Sequence, residues 1–64
     1  MKLFTFKYQD NGVFALFAIQ AENKVIARAL LISFLQVPNT DYPITKWKLI
    51  SIQYENGKIE EVEE

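Results

Sequence analysis

The chain has 64 residues, half of them apolar, nine aromatic (five Phe, three Tyr, one Trp), and a net charge of −1. That length accommodates one small domain, residues 1–64, near the lower limit for folding without help. The absence of cysteine and histidine excludes disulfides, a thiolate–imidazole zinc site and the His- or Cys-based catalytic sets, while the near-neutral charge argues against a general nucleic-acid binder.

Residues 2–9 alternate, with Phe4, Phe6 and Tyr8 on one face and Leu3, Thr5 and Lys7 on the other, which predicts a strand. Asn11-Gly12 is a strong hairpin signal, because a type I′ turn needs positive φ at both central residues. Residues 13–20 then form the return strand. A two-residue turn sets Tyr8 opposite Ala15, Phe6 opposite Phe17 and Phe4 opposite Ile19, an aromatic–aliphatic core face.

Asn23 is the expected N-cap of a helix from Lys24 to about Leu35. Ile26, Ala27, Leu30, Leu31 and Phe34 fall on one side of it at helical spacing and are expected to pack on the sheet. Val37-Pro38 ends the helix, since the residue before proline is pushed out of the α region. The turn-rich stretch from Pro38 to Pro43 marks a crossover. Residues 44–54 are expected to be the longest strand, with Trp47 and Leu49 on one face. The phase shifts at Leu49-Ile50, placing Ile50 and Ile52 on the opposite face, and a β-bulge there reconciles the pattern. Asn56-Gly57 is a second hairpin signal. Residues 58–64 supply a short, charged edge strand and an acidic tail, in which Glu60, Glu61, Glu63 and Glu64 are expected to be solvated.

The fold class is therefore α+β: a ββαββ domain with an antiparallel sheet in the order 2-1-3-4 and one helix packed on one face. The long apolar third strand suits the interior beside the first, reached by a right-handed crossover, and the charged last segment suits the edge.

Apolar surface remains after this core is assembled. Leu3, Phe14, Leu16 and Ala18 fall on the outer sheet face, and Val25, Ala29 and Ile32 form a second helical group. Contiguous apolar patches on a small protein mark interaction sites, so these seven residues are the expected protein interface. The expected partner is a second copy, a different protein, or both. Oligomerisation is also the one staple left to a chain lacking disulfide and metal.

A polar cluster supplies the alternative. Lys46 and Lys48 flank Trp47 on the face opposite its ring, and Lys7 lies on the same outer face. With Tyr42 nearby, this lysine and aromatic patch suits a nucleotide, another anionic small ligand, or contact with nucleic acid.

No catalytic, metal-binding or cofactor-binding set emerges. Ser33 and Ser51 lie inside elements rather than on a nucleophile elbow, and both glycines belong to turns. The apolar runs fall far short of the ~20 residues of a membrane span, and the chain is expected to be cytoplasmic.

The Asp10-Asn11-Gly12 hairpin, the Ala21-Glu22-Asn23 helix entry and the Trp47-Lys48-Leu49-Ile50 strand together resemble small accessory proteins of phages and mobile elements. The resemblance implies a non-enzymatic protein that occludes a host protein, such as an inhibitor of a bacterial defence system.

Overall fold

The computed structural model describes residues 1–35 and 43–64. Strands β1 (Lys2–Asp10) and β2 (Val13–Ala21) are followed by helix α1 (Lys24–Leu35). A 3₁₀ turn (Ile44–Lys46) then leads into β3 (Trp47–Gln53) and β4 (Ile59–Glu61). The four strands form one antiparallel sheet in the order β2-β1-β3-β4, with the helix on one face, as the sequence predicts. The expected helix stop at Val37-Pro38, most of the crossover and Tyr42 lie outside the described residues.

The first hairpin has the register that its turn dictates. Asn11 and Gly12 both have positive φ, 49° and 79°, and Tyr8, Phe6 and Phe4 face Ala15, Phe17 and Ile19. The same dipeptide at Asn56-Gly57 makes a different turn. There only Gly57 has positive φ, at 89°, its N–H donates to the Tyr54 carbonyl, and Tyr54 and Lys58 close a three-residue loop. The Asn56 side chain accepts from the Lys58 N–H at 2.9 Å, which uses the short amide where a backbone partner is lacking.

β3 is shorter than its sequence pattern suggests. Pro43 starts the 3₁₀ turn, closed by Lys46 N–H on the Pro43 carbonyl, so pairing begins at Trp47 and β1 and β2 are the longest strands. The phase shift is a bulge. Phe6 pairs with Leu49 and Thr5 with Ser51, leaving Ile50 as the extra residue. Ile52 is thereby returned to the inner face opposite Phe4, where it packs on the core, instead of sharing the outer face with Ile50.

The core is a slab of side chains from three strands and the helix: Phe4, Phe6, Tyr8, Ile19, Ala21, Trp47 and Leu49 beneath Ala27 and Leu31. The Tyr8 and Trp47 rings sit 5.4 Å apart and tilted, a favourable aromatic geometry. Asn23 caps the helix, its Oδ1 accepting from the Ile26 N–H at 3.0 Å.

The inward stripe of α1 differs from the expected one. Ala27 and Leu31 are fully buried, but Ile26, Leu30 and Phe34 are 42%, 38% and 56% exposed. The helix packs chiefly against β2, the edge strand. The flank bearing those three residues therefore overhangs the β2 edge, and the Phe34 ring reaches Phe17 of β2 at 5.2 Å. On the opposite flank Arg28 lies over the Phe6 ring at 5.5 Å, and its charge is met from the far end of the chain.

That charge is Glu64, which is not solvated as the acidic composition of the tail suggests. Arg28 Nη2 donates to both Glu64 carboxylate oxygens at 2.7 Å, Lys24 approaches at 3.3 Å, and the Leu49 N–H donates at 2.7 Å. The carboxylate thus continues the β3–β4 ladder one step past Val62, whose N–H bonds to the Ile50 carbonyl, and ties the tail to the helix.

Candidate functional site

With the helix on one face, no described residue of another element covers the other face of the sheet. β2 places Phe14, Leu16 and Ala18 there in a row, and β1 places Leu3, Thr5, Lys7 and Gln9 beside them. Phe14 and Leu16 are 59% and 55% exposed, Ala18 is exposed and Leu3 is half-buried. The four expected outer-face residues thus share one surface, with Phe14 and Leu16 as its protruding members. Lys7 leans over the Phe14 ring, its Nζ 5.6 Å from the ring centre. This arrangement covers part of the ring with the lysine stem and keeps the ammonium in water.

The second expected group, Val25, Ala29 and Ile32, also lies together. With Lys24 and Arg28 these residues line a shallow depression of about 300 Å³ on the flank of α1 turned away from the β2 edge. Val25 is 78% exposed, so this is open surface.

The three lysines are neighbours as well. β1 and β3 set Lys7 directly opposite Lys48. Both line a hollow of about 310 Å³ with Gln9, Lys46 and Ile50. Like charges directly opposite destabilise a sheet. Lys46 approaches Asp10 at 4.0 Å, which offsets one of the three positive charges. Tyr42, the fourth member of this expected set, lies outside the described residues.

Two further hollows, of about 360 and 600 Å³, meet at Tyr54 at the other end of β3 and carry Glu22, Glu55 and Glu60 on their walls. The Tyr54 hydroxyl donates to Glu60, and this bond, with some desolvation and the carboxylate charge, raises the phenol above its ordinary pKa. Lys2 and Lys58 line the same hollows, so this end of β3 carries charges of both signs. Among the described residues no His, Cys, Asp or Glu cluster is arranged to hold a metal ion, and no helix is long and apolar enough to cross a membrane.

Comparison with known proteins finds no matching family model, no matching curated protein and no matching solved structure. The functional reading therefore rests on these surfaces.

The apolar flank Ile26–Leu30–Phe34 is the surface that sequence reasoning missed. Its spacing is that of a buried stripe, and the signal that distinguishes it is the all-round apolarity of residues 25–35. A helix apolar on every side exceeds what one sheet face covers.

Proposed function

We propose that this protein is a non-enzymatic binding module that docks on a protein partner through the outer face of its sheet and thereby inhibits or modulates that partner. The carrying observation is the exposure of Phe14 and Leu16, side by side with Leu3 and Ala18 on a face that nothing in the chain's described residues covers. In a two-layer α+β domain the outer sheet face meets water, and polar side chains are the ordinary occupants. Aromatic and aliphatic side chains in such a position supply the desolvated centre of an interface, with Lys7, Lys48 and Gln20 at its polar rim. The resemblance to small phage accessory proteins agrees with occlusion of a host protein as the mode of action.

The test is a photo-crosslinking amino acid at position 14 or 16, and at position 58 as a control, in cells that naturally produce the protein. One protein crosslinked at 14 and 16 but not at 58, and lost with Phe14→Lys while the circular dichroism is unchanged, supports the reading. Equal crosslinking at all three positions, or retention of the partner by both Phe14→Lys and Leu16→Lys, overturns it.

A second reading is favoured by the direct opposition of Lys7 and Lys48 beside a hollow with Lys46 on its wall. An anionic small ligand such as a nucleotide there relieves the repulsion between the lysines. It predicts saturable binding of ADP at low ionic strength that weakens steeply with salt and is lost in Lys48→Glu. A flat titration by calorimetry at low salt removes this reading.

A further inference from the structure

β2 is an edge strand of nine residues, Val-Phe-Ala-Leu-Phe-Ala-Ile-Gln-Ala, without a single charge or proline. Long apolar edges are a liability that soluble proteins blunt with lysine, proline, bulges or a covering element. β4, the other edge, follows that rule with three residues, two of them glutamates. β2 carries no lysine or proline, pairs with β1 without a bulge, and the helix above it presents an apolar flank rather than a polar cover.

The hairpin fixes which groups that edge offers. The two-residue turn makes Asp10 and Val13 the closing hydrogen-bonded pair. Val13, Ala15, Phe17, Ile19 and Ala21 therefore direct their N–H and C=O at β1. Phe14, Leu16, Ala18 and Gln20 direct theirs outward. Directly above that edge, the helix flank of Ile26, Leu30 and Phe34 projects on the same side.

We infer that two copies of this chain join β2 to β2 antiparallel about a two-fold axis, forming one eight-stranded sheet with the two helices side by side. The strand is self-complementary in the register centred on Phe17. On the outer face that register sets Phe14 opposite Gln20, whose stem can cover the ring, and Leu16 opposite Ala18, large against small. On the inner face it brings Phe17 against its own copy, flanked by both Phe34 rings. The absence of charge along the strand matters here, because like charges meeting across a two-fold axis oppose self-pairing. The same axis lays each Ile26–Leu30–Phe34 flank against its equivalent. Covering that flank and the strand backbone takes Ile26, Leu30 and Phe34, all exposed in the single chain, out of water and gives the contact an apolar centre. For a 64-residue chain without disulfides, this contact supplies the missing staple. It also places the Phe14 and Leu16 pairs of both copies at the centre of one continuous outer face.

The test is molar mass by light scattering on a size-exclusion column over a hundredfold range of concentration, with circular dichroism on every variant. The wild type is expected at twice the chain mass. Leu30→Lys, at an already exposed helix position, and Ala18→Pro, which removes an outward-facing N–H, are expected to fall to one chain mass with at least a hundredfold weaker association. Val25→Lys, on the opposite flank of the helix, is expected to stay at twice. If Ala18→Pro does not fold, Leu30→Lys decides. A wild type at one chain mass throughout, a doubled mass that survives Leu30→Lys, or equal loss in Val25→Lys overturns the inference. It stands apart from the docking reading, since Leu3→Lys, on the outer face of β1 and off the β2 seam, is expected to weaken partner binding and keep the doubled mass.

Discussion

The Glu64 carboxylate is held by four contacts, and its chemistry follows from them. Partial burial by itself raises its pKa. The Leu49 N–H, the Arg28 guanidinium and the Lys24 ammonium more than reverse that, and the carboxyl is brought from 4.5 down to about 2. A carboxyl with a depressed pKa contributes stability above its unfolded value and loses it as protons bind. The contribution is thus complete above pH ~4.5 and disappears as the pH falls towards 2. Because the Glu64 side chain is 21% exposed, solvent screening limits the effect. Glu64→Gln is expected to cost roughly 1–2 kcal/mol at pH 7 and to flatten the acid limb of stability between pH 4.5 and 2. Urea denaturation of both proteins across that range checks it, and parallel pH profiles would show that the clasp contributes nothing. Asn23 makes a simpler case. Its side chain satisfies the Ile26 N–H, so Asn23→Ala is expected to lower stability by about 1 kcal/mol in the same urea measurement, whereas Asn23→Ser is expected to leave it nearly intact.

At the scale of elements, the hairpin and the helix show why some of this structure is legible in sequence and some is not. Asn11-Gly12 sets the register of β1 on β2 because a turn with two positive φ values admits few residues and one geometry. The bulge at Ile50 is legible because a strand that stays paired cannot change phase without an extra residue. The bearing of α1 is not legible. Val25, Ile26, Ala27, Leu30, Leu31, Ile32 and Phe34 leave no polar side to orient it, so periodicity alone does not select Ala27 and Leu31 as its inward line. That choice depends on the helix sitting over β2. Leu31→Ala is therefore expected to cost about 2–5 kcal/mol, as a buried leucine does. Ile26→Ala in dilute monomer is expected to stay within about 1 kcal/mol, mostly below the leucine value. Thermal or chemical denaturation of the two variants checks the assignment, and equal losses would mean that the helix is rotated. The candidate sites divide in the same way. Lys7 and Lys48 follow from strand alternation, and so does the outer row of Phe14, Leu16 and Ala18, whereas Lys46 reaches the same hollow from the 3₁₀ turn. The Glu64 clasp joins residues 36 positions apart and carries no local signal.

At the scale of the whole molecule, the chain is asymmetric in a way that its net charge of −1 conceals. Its β4 side is short, acidic and closed by the Glu64 clasp. Its β2 side is long, uncharged and lined above and below by exposed apolar residues. A fold with one finished edge and one unfinished edge is suited to completion by another chain. The lysine hollow and the outer face remain accessible when the β2 edges join, so self-association and partner docking use different surfaces. The most direct measurement is amide hydrogen exchange along β2, followed residue by residue at high and low protein concentration. Joined β2 edges protect the outward amides of Phe14, Leu16, Ala18 and Gln20 at high concentration, comparably to those of Ala15, Phe17 and Ile19, and that protection is expected to be lost on dilution or in Leu30→Lys. Fast exchange of those four amides at every concentration, beside protected neighbours, would contradict it.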